Sequence, residues 1–474
     1  MKKAAPSGCL RVALIHPALP AKSAFERLGR SDLPPLGLLY LAAVLENEGH
    51  AVRVFDFNLA SQRHRGETDI VGWSPDLVGI STLAATYEDT VAVAARLRQR
   101  LGEATKFVAG GADATIQTAR YLDTGLFDAV FLGEAEETIV DFCHALPRVD
   151  TAAGVATPAS PDVERSPKVQ PDAVPFPARH LLPLQEYRGG PAYKRQRRST
   201  SIFTHRGCPY SCEFCEKSVH DGPVRYRSAA SIYEEISGIR REHDIHDIRF
   251  IDDVLMINRP VLEGFAELIR ANGEPLDWMC TGRVDLMDEG LLRIMKAAGC
   301  YRVEIGIESG DDETLGQVNK KLTTAQALEA IATARRVGLE IVANYLLGLP
   351  GESRAAMGRT VDFAEKIDAD YSIFFLFVPF RGAAITQRCG LEFDPAYPGY
   401  RKPSPAYQVS TEEVEKLIDR AYGRLYYRWR YILRRLRSIR SPWIVWDLAY
   451  MATSHLWRRL LSRPSGTATY RTGG

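Results

Sequence analysis

Long hydrophobic runs are missing from this 474-residue chain. No stretch approaches the ~18 apolar residues that cross a bilayer. The early apolar run Val12-Ala13-Leu14-Ile15 stops at His16-Pro17, too soon for the core of a secretory signal. A net charge is missing as well. The 60 Lys and Arg against 59 Asp and Glu leave +1, which excludes bulk electrostatic capture of nucleic acid. Cysteine is scarce, with eight residues, and Cys9, Cys143, Cys280, Cys300 and Cys389 are scattered, so no disulfide framework is indicated. These absences predict a cytoplasmic chain with reduced thiols and no nucleic-acid partner. What remains is ordinary globular material, 45% hydrophobic and 25% charged, in a length that suits two or three domains.

The other three cysteines are crowded. Arg206-Gly207-Cys208-Pro209-Tyr210-Ser211-Cys212-Glu213-Phe214-Cys215 sets thiols at Cys208, Cys212 and Cys215. Thiolates this close point to a soft metal. A structural zinc site takes four ligands, and with no second cysteine pair, His205 or His220 would have to complete it. That alternative is a zinc-stabilised binding module without catalysis. Three thiolates also suit an iron–sulfur cluster with one iron left open, and this reading is preferred. The CxxxCxxC spacing, with Phe214 before the last cysteine, resembles the signature loop of the radical S-adenosylmethionine (AdoMet) family. The resemblance implies that Cys208, Cys212 and Cys215 bind three irons of a 4Fe-4S cluster. It implies that AdoMet chelates the fourth iron and is cleaved by one electron to a 5′-deoxyadenosyl radical, which abstracts a substrate hydrogen. It also implies an electron donor of flavodoxin or ferredoxin type.

Upstream, short apolar runs alternate with helical periods. Leu10–Ile15, Val52–Phe57, Leu77–Ser81, Lys106–Ala109 and Ala129–Leu132 read as buried strands, and Leu36–Glu48 and Tyr87–Leu101 as helices. The alternation predicts an α/β domain over 10–146, a doubly wound, Rossmann-like parallel sheet that binds ligands at its strand carboxyl ends. Ser81-Thr82, Gly110-Gly111 with Thr115, and Gly133-Glu134 with Glu137 stand there. The segments Asp32-Leu33-Pro34-Pro35-Leu36-Gly37, Glu48-Gly49-His50, Gly79-Ile80-Ser81, Gly110-Gly111 and Gly133-Glu134-Ala135-Glu136 come in an order that resembles the cobalamin-binding domain preceding many radical AdoMet domains. The resemblance implies cobalamin contacts from Ser81, Thr82, Gly110, Gly111, Gly133 and Glu134. Two departures stand out. The DxHxxG motif of cobalamin-dependent mutases is absent, and Asp113 stands where relatives often carry histidine.

Residues 147–194 are proline-rich in their first part and show no helical or strand period, so an extended linker is expected. From 195 to 390, strand and helix patterns alternate six times, predicting a partial (β/α)6 barrel whose first strand leads into the cysteine loop. Its strand ends carry Asp252-Asp253, Gly282-Arg283, Glu308-Ser309-Gly310, Gly348-Leu349-Pro350-Gly351-Glu352 and Pro379-Phe380-Arg381-Gly382. Asp253 reads either as a contact to the AdoMet ammonium or as a helix N-cap. Arg283 suits the AdoMet carboxylate. Glu304 and Glu308, four apart on a strand, share a face, and two buried carboxylates need partners that AdoMet would supply. Resemblance to the family's fourth- and fifth-strand motifs implies ribose and methionine contacts from Glu308 and Ser309. It implies adenine contacts from the segment holding Gly348 and Pro350.

The last region, 391–474, opens a helix at Thr411-Glu412-Glu413 and continues basic and aromatic from Arg424 to Arg440. Pro442 breaks it, and a second helix is expected through Trp446 and Trp457. These arginines are expected to pair with the barrel's own acids and close its open side. The second reading is a peripheral membrane contact through these C-terminal helices. The resemblance as a whole implies a cobalamin-dependent radical AdoMet enzyme that methylates an unactivated carbon of a small-molecule, lipid or natural-product substrate. One AdoMet supplies the methyl group through the corrinoid and a second supplies the radical. A cyclase or oxidoreductase built on the same domains is the alternative. The sequence names no catalytic residue and no particular substrate.

Overall fold

A computed structural model describes residues 8–19, 33–148, 152–187, 189–190, 192–273, 275–391, 393–394, 397–401 and 407–438. Asp32, Pro442 and the helix expected through Trp446 and Trp457 lie outside the described residues.

Six strands form the first sheet: β1 (Arg11–His16), β2 (Ala51–Asp56), β3 (Leu77–Ser81), β4 (Lys106–Gly110), β5 (Ala129–Phe131) and β6 (Val155–Ala156), in the order β2-β1-β3-β4-β5-β6. The first five are parallel. Their central residues are apolar and buried because both faces are covered, which is why they read as continuous apolar runs. Helices α1 (Leu36–Asn47), α2 (Tyr87–Leu101) and α3 (Glu136–Ala145) cover the two faces, α1 and α3 packing in one apolar cluster and α2 in the other.

The sixth strand corrects the linker expectation. Val155 and Ala156 run antiparallel to β5, two residues being too few to leave a period in the sequence. The stretch that follows is packed rather than solvated. Arg179 is buried against Glu235 at 2.7 Å, and the Tyr187 hydroxyl donates to Asp56 at 2.8 Å. Residues expected to be a spacer therefore tie the two sheets together.

The second sheet is the partial barrel. Its strands are β7 (Thr200–Ile202), β10 (Asp247–Phe250), β11 (Asp277–Gly282), β12 (Cys300–Glu308), β13 (Glu340–Leu347) and β14 (Tyr371–Leu376), ordered β14-β13-β12-β11-β10-β7 with every pair parallel. A short antiparallel hairpin of β8 (His205–Arg206) and β9 (Arg225–Tyr226) interrupts the series. Phe250, Phe265 and Trp278 meet edge to face at 5.1–6.0 Å beneath the helix Arg259–Ala271, so the even-numbered side of β10 faces outward and Arg249 faces the lumen. Register slips in β12 between Gly306 and Glu308, and Glu308 takes φ +68° there.

The C-terminal region forms two helices, Thr411–Tyr426 and Trp429–Ser438, where the sequence suggested one up to Pro442. Arg428 accounts for the break: its Nε donates to the Leu425 carbonyl at 3.1 Å and its Nη2 reaches Asp368 at 2.6 Å, so a side chain satisfies the helix end. Arg424 pairs with Asp362 at 2.8 Å and Arg434 with Asp368, both acids of the barrel's own elements. The Tyr426 hydroxyl accepts from the Ser372 amide at 2.9 Å and donates to the Ser372 carbonyl at 2.8 Å, completing the outer edge of β14. No described helix is long and apolar enough to cross a membrane.

Candidate functional site

The carboxyl ends of the two sheets face each other across the cysteine loop. The loop, 207–224, is closed at its base by the β8–β9 hairpin. Its first half leans on the barrel. The Glu213 amide donates to Val318 O at 3.1 Å, the Glu213 carbonyl accepts from Ile385 at 2.9 Å, and Asn319 donates to Ser211 at 3.0 Å. Its second half leans on the first domain, where the Ser218 hydroxyl donates to Ala112 O at 3.5 Å and His220 Nδ1 lies 3.0 Å from Glu134. Gly207 holds φ +92° at the start of the loop, a conformation that costs other residues. Lys217 braces the loop from within, donating to the carbonyls of Cys208 at 3.2 Å and Tyr210 at 2.5 Å.

The donor set fits an iron–sulfur cluster. Cys208 and Cys212 are half-buried and Cys215 is exposed. Although part of the Cys215 side chain reaches solvent, desolvation by the atoms crowded around its sulfur, then the charges of Asp253, Cys208 and Cys212, push the thiol up to about 12. Burial likewise raises Cys208, against a backbone hydrogen bond from Tyr210. Cys208 and Cys215 therefore hold their protons until a cation replaces them, which is what metal binding to thiolates does. His205 Nδ1 sits 3.3 Å from buried Asp252 and His220 Nδ1 3.0 Å from Glu134. The zinc alternative fails on the convergence of its donors. Among the described residues, no three His, Cys, Asp or Glu side chains converge on the site of a single metal ion.

Around the loop, the structure gathers most of the expected strand-end residues. Arg283 is buried, with Nη1 3.9 Å from Cys212 Sγ, Nη2 3.2 Å from Lys320 O and Nε 2.9 Å from Asp285. Asp253 is exposed, and its charge raises the Cys208 and Cys215 thiols. It caps no helix, since Asn258 caps Arg259–Ala271, so the N-cap reading is corrected. The two glutamates of β12 already have protein partners. Glu304 accepts from Arg249 and Asn344, both at 2.8 Å, and Glu308 pairs with Lys320 at 2.7 Å. The argument that a bound ligand must supply those partners is corrected accordingly. The Ser309 hydroxyl lies 3.0 Å from Thr360 Oγ1 on the helix Arg354–Ile367, not at the strand mouth. The Gly348 and Leu349 amides are tied to Glu352 Oε2 at 2.7 and 3.1 Å, Gly348 taking φ +80°, and Pro350 is buried beside them.

In the first domain, Thr82 is fully buried. Its hydroxyl donates to Gly110 O at 3.0 Å and accepts from the Ala114 amide at 2.9 Å. A Cβ on Gly111, at φ +107°, would stand 2.8 Å from Thr82 O and 3.6 Å from Ser81 Oγ, so glycine keeps this turn close to the sheet end. Gly133, at φ +88°, donates to Thr115 at 3.1 Å. Leu83, which follows β3 beside these turns, is 40% exposed, an apolar surface of the kind a bound corrinoid would cover. Glu134 does something else. Its buried carboxylate is filled by Arg206, Arg225, His220 and the Val169 amide, so the expectation of a cofactor contact from its side chain is corrected. Sequence reasoning missed Lys320, Lys217, Arg206 and Arg225. The Lys320-Lys321 doublet was the one visible signal.

Residues 202–364 match the family model for the radical SAM superfamily, and residues 29–142 match that for a B12 binding domain. The chain is 28% identical to an uncharacterized methyltransferase of Pyrococcus horikoshii, over 90% of this chain and 94% of the relative. It is 29% identical to the cytidylyl-2-hydroxyethylphosphonate methyltransferase of Streptomyces wedmorensis, over 76% and 79%. It is 25% identical to the anaerobic magnesium-protoporphyrin IX monomethyl ester cyclase of Rubrivivax gelatinosus, over 87% and 76%. Its fold is similar to that of the cobalamin-dependent S-adenosylmethionine radical enzyme OxsB, with TM-score 0.72 and 16% identity over 94% of this chain and 72% of that one. The chain is a radical SAM enzyme that carries a B12-binding domain ahead of its barrel.

Proposed function

We propose that this enzyme is a cobalamin-dependent radical AdoMet methyltransferase acting on an unactivated carbon. The observation that carries the reading is the seat of the cysteine loop, between the open strand ends of the B12-binding sheet and those of the barrel. A corrinoid held on one side and a cluster held on the other would both border the space where a substrate would lie. The names of two methyltransferase relatives support the same reading.

When bound, the cluster, AdoMet and the corrinoid supply the radical that removes a substrate hydrogen and the methyl group that replaces it. The protein's share is placement. Cys208, Cys212 and Cys215 would hold three irons. Arg283 would face the AdoMet carboxylate beside Cys212, and the Lys320–Glu308 pair would face its polar end. The turn Gly348–Glu352, held by Glu352, would lie along the adenine. Ser81, Gly110, Gly111 and Gly133 would line the corrinoid. The electron donor is a one-electron carrier in the cytoplasm, and the substrate is a small organic molecule.

Anaerobic purification with added hydroxocobalamin, followed by metal analysis, tests both cofactors. About four irons and about one cobalt per chain support the reading, on cluster stoichiometry. Iron without cobalt removes methyl transfer through a corrinoid and leaves the radical chemistry. The cyclase relative favours a second reading, ring formation without methyl transfer. AdoMet deuterated in its methyl group separates the two, since only a methyltransferase passes the label to product.

A further inference from the structure

We propose that Glu134 is a positioning residue for the cysteine loop: one carboxylate of the B12-binding domain fixes where the three thiols stand. The inference rests on reading those thiols as cluster ligands. Glu134 follows β5 at the carboxyl edge of the first sheet, and its side chain is wholly buried. Both strands of the hairpin that closes the loop send an arginine to it. Arg206, from β8, reaches Oε2 at 3.2 Å. Arg225, from β9, reaches Oε2 at 2.8 Å and also bonds Oε1. His220, inside the loop, lies 3.0 Å from Oε1, and the Val169 amide donates to Oε2 at 3.1 Å.

Two arginines beside each other at the base of a hairpin repel, and each loses its hydration when buried. A carboxylate between them removes both costs only while it stays in place, because a buried charge without its partner is strongly destabilising. Glu136, two residues further on, adds a second carboxylate to Arg206. The far half of the loop is gripped from the same side: Arg165 donates to Ser218 O at 2.9 Å, and Arg165 and Lys168 both pair with Asp221. The span between Cys215 and Arg225 therefore takes its position from the first domain, and the span before Cys215 takes it from the barrel. Glu134 sits where the first grip is deepest.

The test is hydrogen exchange of the full-length protein. Glu134→Gln keeps the shape and removes the charge. Glu340→Gln, which breaks the Arg302 pair at the amino ends of the barrel strands, is the control. In Glu134→Gln, amides in 207–224 are expected to exchange about tenfold faster or more, and the control to leave them unchanged, with tenfold corresponding to about 1.4 kcal/mol of local opening. After iron reconstitution, the electron paramagnetic resonance signal of the reduced cluster is expected to broaden or shift in the variant. Unchanged protection over 207–224 in a folded Glu134→Gln protein overturns the proposal. Should that variant fail to fold, Glu134→Asp, which keeps the charge but withdraws it by one methylene, is expected to show the same loop-specific loss, and its absence overturns the proposal equally. Wild-type iron content reports separately on the cluster reading, which can fail without altering the exchange result.

Discussion

The Arg283 guanidinium lies 3.9 Å from the Cys212 sulfur and 3.6 Å from the centre of the Tyr210 ring. A fixed cation thus stands beside the middle thiol of the loop, held from below by Asp285. The thiol therefore has a place in an electrostatic arrangement and is not a spare packing group.

Replacing it is expected to be decisive. Cys212→Ala should drop bound iron from about four to below about one per chain and abolish AdoMet cleavage, since an incomplete thiolate set does not hold the cluster. The first domain should still fold, as its core does not include this residue. Deoxyadenosine assays and circular dichroism check both halves, and full deoxyadenosine production by this variant would remove the cluster assignment.

Glu308→Gln should leave the Lys320 ammonium without its partner, the two side chains being only 13% and 10% exposed. Breaking a buried pair from one side costs about 3–5 kcal/mol. Lys320→Met on top of it should recover much of that loss, a coupling that a double-mutant cycle in urea melts measures. Additive losses would show that the pair does not act as a unit.

Gly111→Ala should cost the first domain about 1–2 kcal/mol from backbone conformation, with a further contribution from the contact with Thr82 O. Cobalt uptake should fall while iron content holds. Equal loss of both metals would place the damage in the whole fold rather than in the corrinoid side.

Acid should act on Glu134 late. Burial pushes its carboxyl up, but hydrogen bonds from Arg225 and His220 and the charge of Arg206 outweigh that and hold it well below the usual 4.5. A group lowered by folding contributes stability above its unfolded value, and the contribution drains away as pH falls through its folded value. Wild-type protection of the loop should thus be flat from neutrality to about pH 4.5 and decline below it. In Glu134→Gln this acid-dependent loss should be missing. A wild-type decline centred above pH 5, measured by exchange corrected for intrinsic rates, would contradict the assignment.

Tyr426→Phe should cost about 1–3 kcal/mol, because the buried amide of Ser372 loses its acceptor. Differential scanning calorimetry checks the direction. No change would mean that water takes over the bond.

Much of the fold was legible in the sequence for a simple reason. Parallel strands covered on both faces must be apolar throughout, so Leu77–Ser81 was delimited correctly, and the helical period marked Tyr87–Leu101. The three thiols were legible because their spacing is local. The two-residue β6 was not, for want of length. The partners of Glu134, Glu304 and Glu308 were not, because ion pairs between distant residues leave no local pattern. Glu304 meets Arg249 only because the barrel curves them toward each other across β11.

Glu134 is synthesised before anything that neutralises it. Arg206 follows by 72 residues and Arg225 by 91. At ~5–20 residues per second, the ribosome delivers Arg225 roughly 5–18 s after Glu134. Cys208, Cys212 and Cys215 all emerge within that interval, on a loop whose closing strand does not yet exist. Iron delivered then meets thiols without a seat, so cluster assembly belongs after the hairpin has closed on the finished first domain.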